Sequence, residues 1–123
     1  MSALLVLAVA GGGGAGAALR FLLDGLINAG RQFRLPAGTL IINVSGSLVI
    51  GFIVGAAAHL GALPVAILGT GVMGGYTTFS TASFETVRLA RNGRINAAAV
   101  NGLGMLVVAV AAAIGGIALG RLL

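Results

Sequence analysis

The chain has 123 residues, 59% of them hydrophobic and only 7% charged, with a net charge of +5. A soluble domain carries roughly 25% charged residues, so this composition excludes an ordinary water-soluble domain and indicates an integral membrane protein. In a soluble chain the positive balance would suggest nucleic acid. Here all seven basic residues are Arg and most lie between apolar runs, so the charge reads as topology-setting, with no nucleic-acid partner. There is no cysteine, hence no disulfide framework and no thiolate metal site.

A crossing helix needs about 20 apolar residues. Four runs reach that length, at residues 4–27, 39–58, 64–87 and 95–119. They predict one all-α domain over residues 1–123. The first run has no Lys/Arg-rich start and exceeds the roughly 7–15 residues of a signal-peptide core, so it is read as a retained span. Arg20 lies one to two turns from its end. It either snorkels to the interface or fixes a positive charge near a pore mouth, where it would attract anions.

The second run begins after Pro36 and carries Asn43, Ser45 and Ser47. Asn43 either bonds a neighbouring helix or offers an amide N–H to a permeating anion. Gly12 and Gly16 in the first run, and Gly46, Gly51 and Gly55 in the second, fall at spacings that let helices approach closely. The connector 59–63 is short enough to make the second and third spans antiparallel neighbours.

The third run, opened by Pro64, contains Gly74-Gly75-Tyr76-Thr77-Thr78-Phe79-Ser80-Thr81. Two glycines and a cluster of hydroxyls near mid-span are expensive in lipid, where every freed backbone group needs a partner. A glycine kink is the bland alternative. The hydroxyl run favours a break in the helix at mid-membrane, with two half-helix ends forming an ion site. Helix C-termini and freed carbonyls suit a cation, and N-termini suit an anion. Phe79, Ser80 and Thr81 open the second half-helix. The hydroxyls donate hydrogen bonds, and a phenylalanine ring has a positive edge, although a single Phe often only packs.

The fourth run has no hydroxyl residue from Gly102 to Leu119, and Asn101 is its one clear polar candidate. The loops between spans one and two and between spans three and four share a side. That side carries Arg31, Arg34, Arg88, Arg91 and Arg94, against Arg121 alone on the other. The positive-inside rule places the arginine-rich loops in the cytoplasm and both termini outside.

Catalysis is a poor reading. The two carboxylates, Asp24 and Glu85, and the one histidine, His59, lie near span ends, and the sequence holds no metal-ligand spacing or nucleophile–base pair. A proton-coupled exporter would need an ionisable group within the bilayer, and no carboxylate lies at mid-span.

Together these residues resemble the Fluc (CrcB) family of fluoride channels. The first span carries Gly13-Gly14-x-Gly16-Ala17-x-x-Arg20-Phe21. The second carries Gly38-Thr39-Leu40-x-x-Asn43-x-x-Gly46-Ser47. The third carries residues 74–81 and then Ser83-Phe84-Glu85. The resemblance implies a passive, fluoride-selective channel that exports toxic fluoride from the cell. It further implies a dimer of two antiparallel subunits in the cell membrane, with a structural sodium ion at its centre. Matched by motif, the sodium carbonyls belong to Gly74 and Thr77. The ion path belongs to Asn43, Phe79, Ser80 and Thr81, and the vestibule charge to Arg20.

Two departures stand out. The family usually has a second phenylalanine three residues after the first, where this chain has Ala82. Its fourth span usually adds hydroxyls to the path. With the arginine bias, these departures raise the alternative of one subunit of a pair, completing the pore of a partner that inserts the other way.

Overall fold

The computed structural model describes residues 2–29 and 37–123. Four helices in it are long and apolar enough to cross a membrane: α1 (Ala3–Asn28), α2 (Ala37–Gly55), α3 (Ala62–Arg91) and α4 (Ile95–Gly120). The chain is a multi-pass, all-helical membrane protein. α1 and α3 extend one to four residues beyond both ends of the runs that predict them, α4 extends one residue at its C-terminal end, and α2 starts two residues early and stops at Gly55. Arg31, Arg34 and Pro36 lie outside the described residues.

Helix ends follow local chemistry. Ser2 caps α1, its hydroxyl accepting from the Leu5 N–H at 3.2 Å and so satisfying one orphan donor of the first turn. After α2 the chain makes a helical turn at Ala57–Leu60. It reverses at Gly61, whose φ of 83° lies in the left-handed region that favours glycine. Gly93, at φ 76°, does the same in the loop between α3 and α4.

Two stretches widen to i→i+5 hydrogen bonding, Val65–Met73 in α3 and Val100–Gly104 in α4. Such widening has no sequence signature of the kind used above, and it often accompanies functional sites.

The four helices pair as α1 with the first half of α3, and α2 with α4. Both interfaces are glycine on backbone. In the first, Gly12 and Gly16 of α1 lie against the backbone around Ile67, Val72 and Tyr76, while Gly71 and Gly75 of α3 lie against Val9 and Gly13. A Cβ on Gly16 would stand 2.9 Å from the Tyr76 nitrogen, one on Gly71 2.8 Å from the Val9 oxygen, and one on Gly75 2.8 Å from the Gly13 carbonyl carbon. In the second, Gly51 and Gly55 of α2 face Gly116 and Gly120 of α4. A Cβ on Gly116 would lie 2.8 Å from the Phe52 nitrogen, and one on Gly120 2.8 Å from the Ala56 nitrogen. Real Cβ atoms do not approach backbone that closely. Each interface is therefore built from two glycines four residues apart on both helices, and the backbones touch directly.

Bulky side chains point outward in consequence. Among the described residues Ile42 is the only fully buried large side chain, while Leu4, Leu7, Phe21, Phe79 and Leu122 are among many exposed apolar ones. In water that surface would aggregate. In lipid it is the expected exterior.

The packing predicts a sharp contrast between adjacent residues. Gly116→Ala forces α2 and α4 apart and should cost about 1–3 kcal/mol. Gly115→Ala, with nothing within 4 Å of its Cβ, should be neutral or stabilising by up to about 1 kcal/mol through helix propensity. Thermal unfolding of the two variants in detergent measures the difference.

Candidate functional site

The site forms where α3 loses its helical backbone. The first half of α3 ends at Tyr76. Thr77 (φ −80°, ψ 158°) and Thr78 (φ −146°, ψ 118°) are extended, and helix resumes at Phe79–Arg91. Gly74 and Gly75 remain helical, so the two threonines, and neither glycine, carry the non-helical backbone. Gly75 is consumed by packing on Gly13. Gly74 is exposed, with open space where its Cβ would be.

Two extended residues free backbone groups, and each freed group must be paired. One side chain does most of this. Asn43 of α2 donates from Nδ2 to the Thr78 carbonyl at 2.8 Å and accepts the Thr78 N–H on Oδ1, also at 2.8 Å. The carboxamide pairs with the peptide of Thr78 as one strand pairs with another. A continuous helix would give the Thr78 N–H to the Gly74 carbonyl. Its diversion to Asn43 releases that carbonyl from its helical donor. Thr77 closes the preceding turn, its hydroxyl and its N–H both donating to the Met73 carbonyl at 3.0 Å.

Thr78 also caps the second half of α3. Its hydroxyl accepts from the Thr81 N–H at 3.1 Å and donates to the Thr81 hydroxyl at 3.1 Å, with Ser80 Oγ at 3.3 Å. Three hydroxyls are thus gathered at a helix N-terminus, where the backbone dipole favours negative charge. Behind them Ser45 donates to the Ile42 carbonyl at 3.2 Å, which leaves Tyr76 to donate to Ser45 Oγ at 2.9 Å. Thr39 donates to Glu85 at 2.6 Å, tying the start of α2 to the second half of α3.

Among the described residues, cavities lie on either side of the break. The smaller, about 190 Å³, is lined by Arg20, Asp24, Thr39, Thr78 and Thr81 among others. The larger, about 500 Å³, is lined by Asn43, Thr78, Phe79, Ala82, Asn101 and Met105 among others. Thr78 lines both. Arg20 and Thr81 are half-buried in the first cavity. Phe79, 88% exposed, borders the second, and Ser80 is exposed beside it.

The residues anticipated from sequence therefore lie around one break, with Gly74 just before it and Thr77 within it. Asn43 bonds the backbone of a neighbouring helix, with one Nδ2 proton and Oδ1 committed to Thr78. Asn101, buried in α4, donates to Thr86 Oγ1 at 2.8 Å, and that hydroxyl donates to the Ala82 carbonyl at 2.8 Å. Among the described residues no three His, Cys, Asp or Glu side chains converge on a metal position.

Sequence reasoning placed Thr78 in the polar run without giving it a role, and it missed Met105. Thr is a preferred N-cap, so Thr78 before a resuming helix was a readable signal. Met105 offered none, because its relevance depends on the fold bringing α4 against Asn43.

The double bond to Thr78 makes a prediction about stability. Asn43→Ala orphans a buried N–H and a carbonyl together and should cost about 2–4 kcal/mol. Thr78→Val keeps that peptide pairing and removes the cap with the hydroxyl contacts to Ser80 and Thr81, and should cost about 1–2 kcal/mol. Thermal midpoints in detergent give the order.

A family model described as CrcB-like protein, Camphor Resistance (CrcB), matches residues 7–117. The chain is 49% identical over 124 residues to fluoride-specific ion channel FluC 1 of Leifsonia xyli subsp. xyli, covering 99% of this chain and 90% of the relative. It is 50% identical over 111 residues to fluoride-specific ion channel FluC 2 of Cutibacterium acnes, covering 88% and 90%. With fluoride-specific ion channel FluC of Nitrobacter winogradskyi it shares 42% identity over 123 residues, covering 96% of each. Four apolar helices, a threonine break clamped by Asn43, and these matches along nearly the whole length agree: the chain belongs to the CrcB family.

Proposed function

We propose that this chain is a passive, fluoride-selective channel that lets fluoride leave the cell across the cytoplasmic membrane. The observation that carries the reading is the meeting of two cavities at Thr78, one holding Arg20 and hydroxyls and the other Asn43 and Phe79, in a chain of the CrcB family.

Fluoride is small and tightly hydrated, so a path must replace its water with strong donors. Arg20 attracts the anion into the first cavity. The hydroxyls of Thr81 and Ser80 and the positive end of the second half of α3 then replace water. The Phe79 ring edge offers a weaker, dry contact beyond. Each step uses a fixed dipole or charge in a poorly screened space, where such groups act strongly. None of them needs to exchange a proton, so the protein is read as a channel and has no catalytic role.

The assembly proposed is a dimer of antiparallel subunits with a monovalent cation at its centre. The Gly74 carbonyl, freed from its helical donor and exposed, fits a cation held by backbone oxygens, with Thr77 supplying the second carbonyl. A sodium ion there would lower the cost of an anion nearby. The arginine-rich loops lie in the cytoplasm and the termini outside. A second reading, a subunit that completes a partner's pore, is favoured by one observation: Ala82 lines the larger cavity where the family usually has an aromatic.

Liposomes holding the purified chain should release fluoride rapidly and chloride at background, with no dependence on a pH gradient. Phe79→Ile, which keeps bulk but removes the ring edge, should slow fluoride release at least about tenfold, the loss of roughly 1.4 kcal/mol. Silence from the chain alone, with flux restored by an oppositely oriented relative, would select the paired reading. Silence in both conditions would defeat the channel.

A further inference from the structure

The Asn43 carboxamide has two donor protons and one acceptor oxygen. Its orientation is fixed, because Thr78 presents an N–H to one end and a carbonyl to the other. That leaves one Nδ2 proton, and it points at the Met105 sulfur, 3.4 Å away. A thioether is a weak acceptor. Of all the bonds this amide makes, the one to Met105 is therefore held least strongly.

Both residues line the cavity that Phe79 borders, and Met105 is buried there, 6% exposed. An unpaired N–H at this depth would be costly. A strong neutral acceptor in its place would compete with an entering ion for the proton and weaken its binding. Sulfur lies between those limits. Hydrogen bonds to a charged acceptor are about twice as strong as neutral ones, so an anion outcompetes the thioether. Methionine, with three rotatable bonds, can also swing away at low cost.

We propose that Met105 is a displaceable acceptor that keeps the free proton of Asn43 paired and aimed while the cavity holds no anion, and that it thereby sets the affinity of this site for fluoride. The proposal rests on the fluoride reading above. It makes Met105 an affinity-setting residue on a span with no hydroxyl to contribute.

The test compares two replacements of similar volume. Met105→Leu removes the acceptor and leaves the proton unpaired. Met105→Gln supplies an amide oxygen that competes with the anion. Fluoride is titrated into the purified full-length protein in detergent and followed by 19F NMR. The half-saturating concentration should fall about three- to tenfold in Met105→Leu and rise about three- to tenfold in Met105→Gln, the range of one net neutral hydrogen bond. A purely structural role for Met105 predicts shifts in the same direction, or none, and either result overturns the proposal. If Met105→Gln fails to fold, the fall in Met105→Leu decides alone, because Leu for Met is a mild core replacement.

Fluoride release from wild-type liposomes separates this inference from the channel reading. Opposite shifts without release would remove the channel and keep Met105. Release without opposite shifts would keep the channel and remove Met105. No fluoride binding by the wild-type protein would overturn the Met105 proposal outright.

Discussion

A backbone that leaves the helix inside an apolar medium must find new partners for every group it frees, and in this chain that obligation falls on the Thr78 peptide. Asn43 meets it with two hydrogen bonds of 2.8 Å from one side chain. Much else at the break follows. The Gly74 carbonyl is freed because its donor has been redirected. Thr78 can cap the second half of α3 because its own backbone is held extended. The hydroxyls of Ser80 and Thr81 gather because Thr78 anchors them. A site that looks like a collection of polar residues is thus ordered by a single pairing between two helices.

The glycine interfaces make that pairing possible. Asn43 is a short side chain, and it reaches the α3 backbone only because α2 lies close to it. A Cβ on Gly46 would run into the Thr77 methyl and, at 3.1 Å, the Tyr76 ring, so this glycine, three residues after Asn43, sets the distance at which the clamp can close. Gly75, against Gly13, holds the preceding turn in place in the same way. Close packing here positions chemistry as well as stabilising the fold, which links the smallest residues to the most polar ones.

Much of this was legible in the sequence. The four spans followed from apolar length alone. The polar run at residues 74–81 marked an irregular segment, because hydroxyls and glycines at that depth need a reason. Gly12 and Gly16, and Gly51 and Gly55, announced close contacts through their spacing. Their partners, Gly71 with Gly75 and Gly116 with Gly120, could not be matched to them without the fold, since spacing shows that a helix face is small but not which face it meets. Asn43 was open between two uses, and the geometry assigns one of its protons to Thr78 and aims the other into a cavity. The widened turns at Val65–Met73 and Val100–Gly104 were invisible, because hydrogen-bond register within a helix leaves no mark in hydropathy.

Among the described residues few large side chains are buried, and glycine holds the helix contacts, which reverses the usual map of tolerance to change. In a soluble domain the bulky interior resists substitution and the polar surface accepts it. Here the helix contacts are made by glycine on main chain, so those positions admit no enlargement. The leucines, valines and phenylalanines outside can exchange among themselves wherever lipid is their only neighbour. Drift in such a protein should accumulate as apolar-for-apolar replacement on the perimeter, while the glycines at the helix contacts, the least chemically distinctive residues there, stay fixed.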